Sequence, residues 1–189
     1  TQQDVAPAIE LPKSWDDYLN SLKRKQRHEI KRKQRRLAEV EHKFELITSA
    51  EDTQRATNDF IRLHKLSSAD KHEFWDHRHL KFFRQLLPTL AERGWLKLYF
   101  LKIRSERAAA MLVFDYHNQY LLYNSGFDPK KFKELSTGNL LTAHTIQEAI
   151  RLGRSRYDFL RGDEEYKFRF GAQPHPIWDL SLEASALDL

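Results

Sequence analysis

Residues 120–160 read YLLYNSGFDPKKFKELSTGNLLTAHTIQEAIRLGRSRYDFL, and the period of their apolar residues changes twice. Residues 120–125, rich in tyrosine and leucine, form a strand candidate. A polar loop follows over 126–135 and carries Lys130, Lys131 and Lys133. From Ser136 to Leu152 the pattern becomes helical, with Leu140, Leu141, Ala143, Ile146 and Ile150 on one face. Gly153 stops the helix, and Tyr157-Asp158-Phe159-Leu160 is a second short strand. Two strands joined by a helix of this length pair in parallel through a crossover.

Working outward, residues 96–103, 108–116 and 120–125 are three strand candidates in succession. They are separated by segments of hairpin length, Arg104-Ser105-Glu106-Arg107 and His117-Asn118-Gln119. The run 108–114 is apolar almost throughout, as a central strand requires. Upstream, Ser14-Trp15-Asp16-Asp17 is a helix start, because a serine side chain caps free N–H groups and acids favour that end of the dipole. Trp15, Leu19, Leu22, Ile30 and Leu37 trace a narrow apolar seam that Gln26 and Lys33 interrupt, which predicts one long basic helix. A strand over 44–47, a helix from Ser49 to about Lys65 and a helix over 73–93 bent at Pro88 come next. A last strand is expected over 177–182. The result is an α+β chain with a mixed sheet, a tail or linker over 1–13 and a single domain over 14–189.

The chain has 189 residues, 40% of them hydrophobic and 12% aromatic, which fits one folded core. It has no cysteine, which excludes disulfides and thiol catalysis and suits a reducing compartment. No run approaches the roughly 18 apolar residues of a membrane helix, and residues 1–11 are no signal peptide. A cytoplasmic protein is therefore expected. The absence of an initiator Met suggests a piece of a longer chain.

The net charge is +5, but residues 23–36, KRKQRHEIKRKQRR, hold nine Lys or Arg against the single acid Glu29. This is either a solvated helix face or a surface for anions, with Lys31, Arg32, Arg35 and Arg36 as the candidate binders. Ser136, Thr137, Gly138 and Asn139 open a helix. Such a start is either an ordinary cap or a cradle where backbone N–H groups meet a phosphate. Asp158 is an acid in an apolar strand and needs a partner, Arg161 or Lys167. Asp158, Glu164 or Glu165 could take a proton from an amine. His72, His77 and His79 cluster in sequence, but His77 and His79 fall on nearly opposite helix faces and no H-E-x-x-H occurs, so no metal site is expected. Walker, Rossmann and G-x-S-x-G patterns are missing as well.

Three stretches together resemble one family. They are SWDDYLNSLKRKQRHEIKRKQRRL at 14–37, YNSGFDPKKFKELSTGNLL at 123–141 and YDFLRGDEEYKFRFGA at 157–172. In that order they look like the CelD-like (cellulose biosynthesis protein) acyltransferases of the GNAT fold and their relatives, the Fem-type aminoacyl transferases. Thr137 departs from the family pattern, where Pro is frequent, while Ser136 and Gly138 agree. The resemblance implies the GNAT (acyl-CoA N-acyltransferase) fold and an acyl-CoA donor such as acetyl-CoA. It places the pyrophosphate at Ser136–Asn139 and the thioester near a backbone N–H of Asn124 or Ser125. Lys167, in K-x-x-F-G, would lie near the transferred group, with Asp158 or Glu165 as base and a small or carrier-linked amine as acceptor. It also implies a preceding GNAT-like half, absent from this chain. An aminoacyl-tRNA-dependent transferase and a nucleic-acid-binding module that uses the basic helix are the alternatives.

Overall fold

The computed structural model describes residues 2–181. Strand β1 (Gln2–Glu10) comes first, then helices α1 (Trp15–Ser21) and α2 (Arg24–Ala38), strand β2 (His42–Ile47) and helix α3 (Ala50–Ser67). Helices α4 (Ala69–Glu73) and α5 (His77–Glu92) precede strands β3 (Leu96–Ile103), β4 (Glu106–Tyr116) and β5 (Gln119–Phe127). A 3-10 turn at Lys133–Leu135 leads to α6 (Thr137–Arg151), β6 (Arg156–Asp158), α7 (Glu165–Arg169) and β7 (Gln173–Trp178). The seven strands form one mixed sheet in the order β2-β3-β4-β5-β6-β1-β7. Among the described residues only β5 and β6 pair in parallel. This is the expected mixed α/β architecture, and it is consistent with a GNAT fold.

Alternation along the central strands explains the layers. Tyr99, Leu101, Met111 and Val113 point to one face, where Leu140, Leu141 and Ile146 of α6 cover them together with Leu19, Ile30 and Leu37 of the first two helices. Leu98, Phe100, Ala110 and Leu112 point to the other, under Phe60 and Leu63 of α3 and Phe83 and Leu87 of α5. Strand β4 is buried on both faces, which accounts for its unbroken apolar run.

Four expectations are corrected. The segment 1–13 is not a tail, because β1 lies between β6 and β7, with Ala8 opposite Asp158 on one side and Gln173 on the other. A boundary at residue 13 would cut the sheet. The long N-terminal helix is two helices, because Leu22 adopts an extended backbone (φ −77°, ψ 150°) and turns into the core. There its side chain occupies the space beside Gly171. The helix over 73–93 is likewise divided, with Trp75 buried in the break and Asp76 capping α5 through the His79 N–H at 2.8 Å. The last strand is Gln173–Trp178, four residues earlier than expected, and residue 182 lies outside the described residues.

Candidate functional site

The parallel pair is short. Gln119, Tyr120 and Leu121 face Arg156, Tyr157 and Asp158, and there β6 ends. β5 runs on to Phe127 with β4 on its other side, its register shifted by a bulge at Tyr123. The edge left open is closed by side chains in place of a strand. Ser67 Oγ accepts the Phe127 N–H at 2.9 Å, and its single proton is shared between the carbonyls of Leu63 at 3.0 Å and Phe127 at 3.2 Å. Lys71 Nζ donates to the Ser125 carbonyl at 2.6 Å, and the Ser125 N–H is taken by Asn124 Oδ1 at 3.0 Å. Of the two amides expected to meet a thioester, that of Ser125 is therefore already satisfied.

Helix α3 approaches this edge very closely. A Cβ on Gly126 would stand 2.3 Å from the His64 backbone nitrogen, so only glycine fits. His64 is 1% exposed, and its Nε2 lies 2.6 Å from Asn124 Oδ1. Trp75 Nε1 donates to His64 Nδ1 at 2.7 Å. Burial pushes the imidazole down to about 4, and the nearby Lys71 charge acts in the same direction. Burial also holds the Lys71 ammonium below the usual lysine range, while Glu164 opposes it. The sequence reading missed His64, Ser67 and Lys71. Its one available signal was His64 four residues after Phe60, on the buried stripe of α3.

Across the opening, the loop after β6 is tightly tied down. Asp158 Oδ1 accepts the Leu160 N–H at 2.7 Å, and Asp158 Oδ2 faces Arg156 at 3.5 Å. Arg161 pairs with Asp4. Lys167 is 2% exposed and donates to the carbonyls of Leu160, Arg161 and Gly162 at 3.3, 2.9 and 3.0 Å. It also meets Glu164 at 2.7 Å. Burial raises and the Lys167 ammonium lowers the Glu164 pKa, and the net shift is downward. Neither expected partner of Asp158 is the real one. The carboxylate finds a nearer N–H and the guanidinium on its own strand, and Lys167 is consumed by three carbonyls. Glu165 stands on the exposed wall of α7 and pairs with Arg169 at 2.8 Å.

Helix α6 starts between these two walls. Ser136 takes a left-handed backbone (φ 55°, ψ 53°) and its side chain caps nothing. The amides of Thr137, Gly138 and Asn139 find no acceptor among the described residues. The open side of Gly138 is partly filled by Phe127, whose ring a Cβ would meet at 3.1 Å. Gly138 is thus small for packing. Asn139 lies where two cavities meet. A smaller one of about 250 Å³ runs along Phe127, Phe132 and Ser136 to Asn139. A larger one of about 520 Å³ lies between α2, α6 and α7, with Ile30, Leu140 and Phe170 as its apolar floor and Lys25, Asn139, Glu165 and Arg169 at its rim. Gln26 also lines it, and the Gln26 Oε1 is a buried acceptor without a partner among the described residues.

On α2, Arg32 and Lys33 converge on Glu29 at 2.7 and 3.3 Å, while Lys31, Arg35 and Arg36 make no ion pair among the described residues. Lys31, Arg32 and Arg35 line a shallow groove with His28. The face is cationic and solvated, and Ile30 and Leu37 alone are buried. No group of three or more His, Cys, Asp or Glu that could hold a metal occurs among the described residues, and no helix there is long and apolar enough to cross a membrane.

A family model described as "Acetyltransferase (GNAT) domain" matches residues 24–168. Among solved structures, FemX superposes with a TM-score of 0.64 at 11% identity, over 92% of this chain and 60% of that one. The C-terminal domain of a putative lysylphosphatidylglycerol synthetase from Agrobacterium fabrum gives 0.61 at 9% identity, over 93% and 59%. L-PGS from Bacillus licheniformis gives 0.61 at 9% identity, with the same coverage. These likenesses show the fold, and the chain spans about 60% of the length of those proteins. No curated protein matches the sequence.

Proposed function

Because the chain belongs to the GNAT acetyltransferase domain family, we propose that it is a cytoplasmic, CelD-like N-acyltransferase that moves an acyl group from acyl-CoA to an amine. The observation that carries this reading is the uncapped start of α6, set against Phe127 at the end of the stretch of β5 that has outrun β6. Unpaired N–H groups and the positive end of the helix dipole suit a pyrophosphate, and Lys25 adds charge across the larger cavity. The opening of the sheet takes the pantetheine arm. The amine nitrogen attacks the thioester carbon, the C–S bond breaks and the CoA thiolate leaves. We assign Glu165, on the cavity wall, to take the amine's proton directly or through water. Asp158 and Lys167 serve this site by fixing the loop over 158–164. The acceptor is a small or carrier-linked amine, and the acceptor site is completed by a preceding GNAT-like half.

Calorimetric titration of CoA into wild type and Asn139→Glu tests the donor site. A glutamate in the first turn is compatible with the helix, so circular dichroism should be unchanged. Its charge, about 4 Å from the phosphate, should weaken binding about fivefold to several hundredfold, from a repulsion of about 1–4 kcal/mol between bulk-water and surface-like dielectric. Equal affinity in the folded variant moves the donor elsewhere.

The unpaired cations of α2 favour a second reading, an aminoacyl-tRNA donor. Replacing Lys31, Arg32, Arg35 and Arg36 with Gln should leave stability within about 0.5 kcal/mol, since these side chains pack against nothing in the core. If tRNA is the donor, the wild type binds it with a steep salt dependence. The fourfold variant then lowers the slope of log K against log salt by about 3–4. A wild type that ignores tRNA at low salt discards this reading.

A further inference from the structure

We propose that Trp75 and His64 are positioning residues that hold the Asn124 carboxamide in one orientation, so that Asn124 Nδ2 donates a hydrogen bond to the acyl carbonyl oxygen of the bound donor. The proposal rests on the acyl-CoA reading of the site.

The orientation follows from donor chemistry. An indole N–H only donates, so the Trp75 contact at 2.7 Å makes His64 Nδ1 an acceptor. The neutral imidazole then carries its proton on Nε2, which points at Asn124 2.6 Å away. The atom receiving it must be Oδ1, and Oδ1 also accepts the Ser125 N–H at 3.0 Å. Two donors on one amide oxygen exclude the flipped carboxamide. Nδ2 is the remaining end. It has no protein acceptor among the described residues, and it is not among their buried unpartnered atoms, so it reaches solvent.

The surroundings keep this arrangement rigid. His64 is packed by Phe60, Phe74 and Trp75, with ring centroids 5.7, 6.2 and 5.6 Å away. The imidazole stays neutral well below neutral pH, and protonating Nδ1 would cost the Trp75 bond. Asn124 sits on the part of β5 that has outrun β6, beside the carbonyl held by Lys71. A hydrogen-bond donor preset at that point needs no reorganisation when charge develops on the acyl oxygen. The free backbone amide expected at Ser125 is replaced in this role by a side chain.

Two measurements on the full chain test it. Nitrogen-15 NMR of the imidazoles at neutral pH should show the His64 ring, assigned by its loss in His64→Phe, with Nδ1 unprotonated and Nε2–H. The opposite tautomer, or an imidazolium, overturns the relay whatever the donor is. Titration of CoA and acetyl-CoA then reads the acyl contact. Asn124→Asp keeps the oxygen that accepts from His64 and Ser125 and removes the donor. It should leave CoA affinity unchanged and weaken acetyl-CoA about tenfold. His64→Phe should copy that selective loss, and His64→Gln, which retains a donor near the Nε2 position, should recover most of it. Equal loss for both ligands, or none, overturns the role given to Asn124. A wild type that binds neither ligand sinks the acyl-CoA reading and the Asn124 contact together, while the tautomer signal still reports separately on the relay.

Discussion

Lys167→Met lowers the unfolding free energy by about 2–4 kcal/mol, as read from urea denaturation at neutral pH. Met keeps the stem's length and apolar packing, so the loss isolates the ammonium. That ammonium ties Leu160, Arg161 and Gly162 to the start of α7 through their carbonyls and pairs with Glu164. Without it, three partly buried acceptors lose a charged donor. The loop they belong to carries Leu160 in a left-handed conformation (φ 56°), a geometry that does not persist in a non-glycine residue without restraint. Lys167→Arg should rescue little, because a planar fork cannot cap three converging carbonyls. If Lys167→Met instead keeps full stability and loses only acyl transfer, the lysine acts on the substrate and the capping role is wrong.

What the sequence made legible follows from the range of the interactions involved. The β3–β4–β5 meander and the β5–α6–β6 crossover are local, so alternation, hairpin lengths and one apolar helix face sufficed to place them within a few residues. β1 escaped because its residues QQDVAPAIE show no alternation, and its two partners lie about 150–175 residues away in the chain. The breaks at Leu22 and Trp75 escaped for a related reason. Helical periodicity continues through both, and only the pull of a buried position, beside Gly171 or against His64, turns the chain.

The site divides in the same way. Asn124 and Ser125 stand on the stretch of β5 that has outrun β6, and residues 136–139 line the smaller cavity with Phe127 at the end of that strand. Asp158 and Lys167 are both beside it, yet each is satisfied by the backbone before it can reach the other. Backbone acceptors carry no sequence signal, so an argument from side-chain charges alone overcounts ion pairs. His64 and Lys71 arrive from α3 and α4, elements whose packing against β5 only the tertiary structure shows.

That packing sets up the largest expected effect, which comes from the smallest substitution. Gly126→Ala adds one methyl group, and its carbon would sit 2.3, 2.5 and 2.6 Å from backbone atoms of His64 and Leu63. Gly126 does not need a left-handed backbone, so the cost is purely one of space. Flexible side chains can yield to such a contact, but the backbone of a helix buried through Phe60, Leu63 and His64 yields only by moving as a body. Overpacking in well-filled interiors typically costs about 1–3 kcal/mol, and a clash against main chain belongs at or above the upper end, so a loss of about 3 kcal/mol or more is expected in thermal or urea unfolding. The displaced helix carries His64 away from Asn124 and Ser67 away from Phe127. In whatever fraction stays folded, the His64 tautomer signal and the preference for acetyl-CoA should therefore fall together. Gly126→Ser should do the same, since its Cβ meets the same atoms. An alanine variant as stable as wild type, with the His64–Asn124 bond intact, would mean that α3 can lift from β5 at little cost. The close approach that closes this edge of the opening would then not be what holds the site in shape.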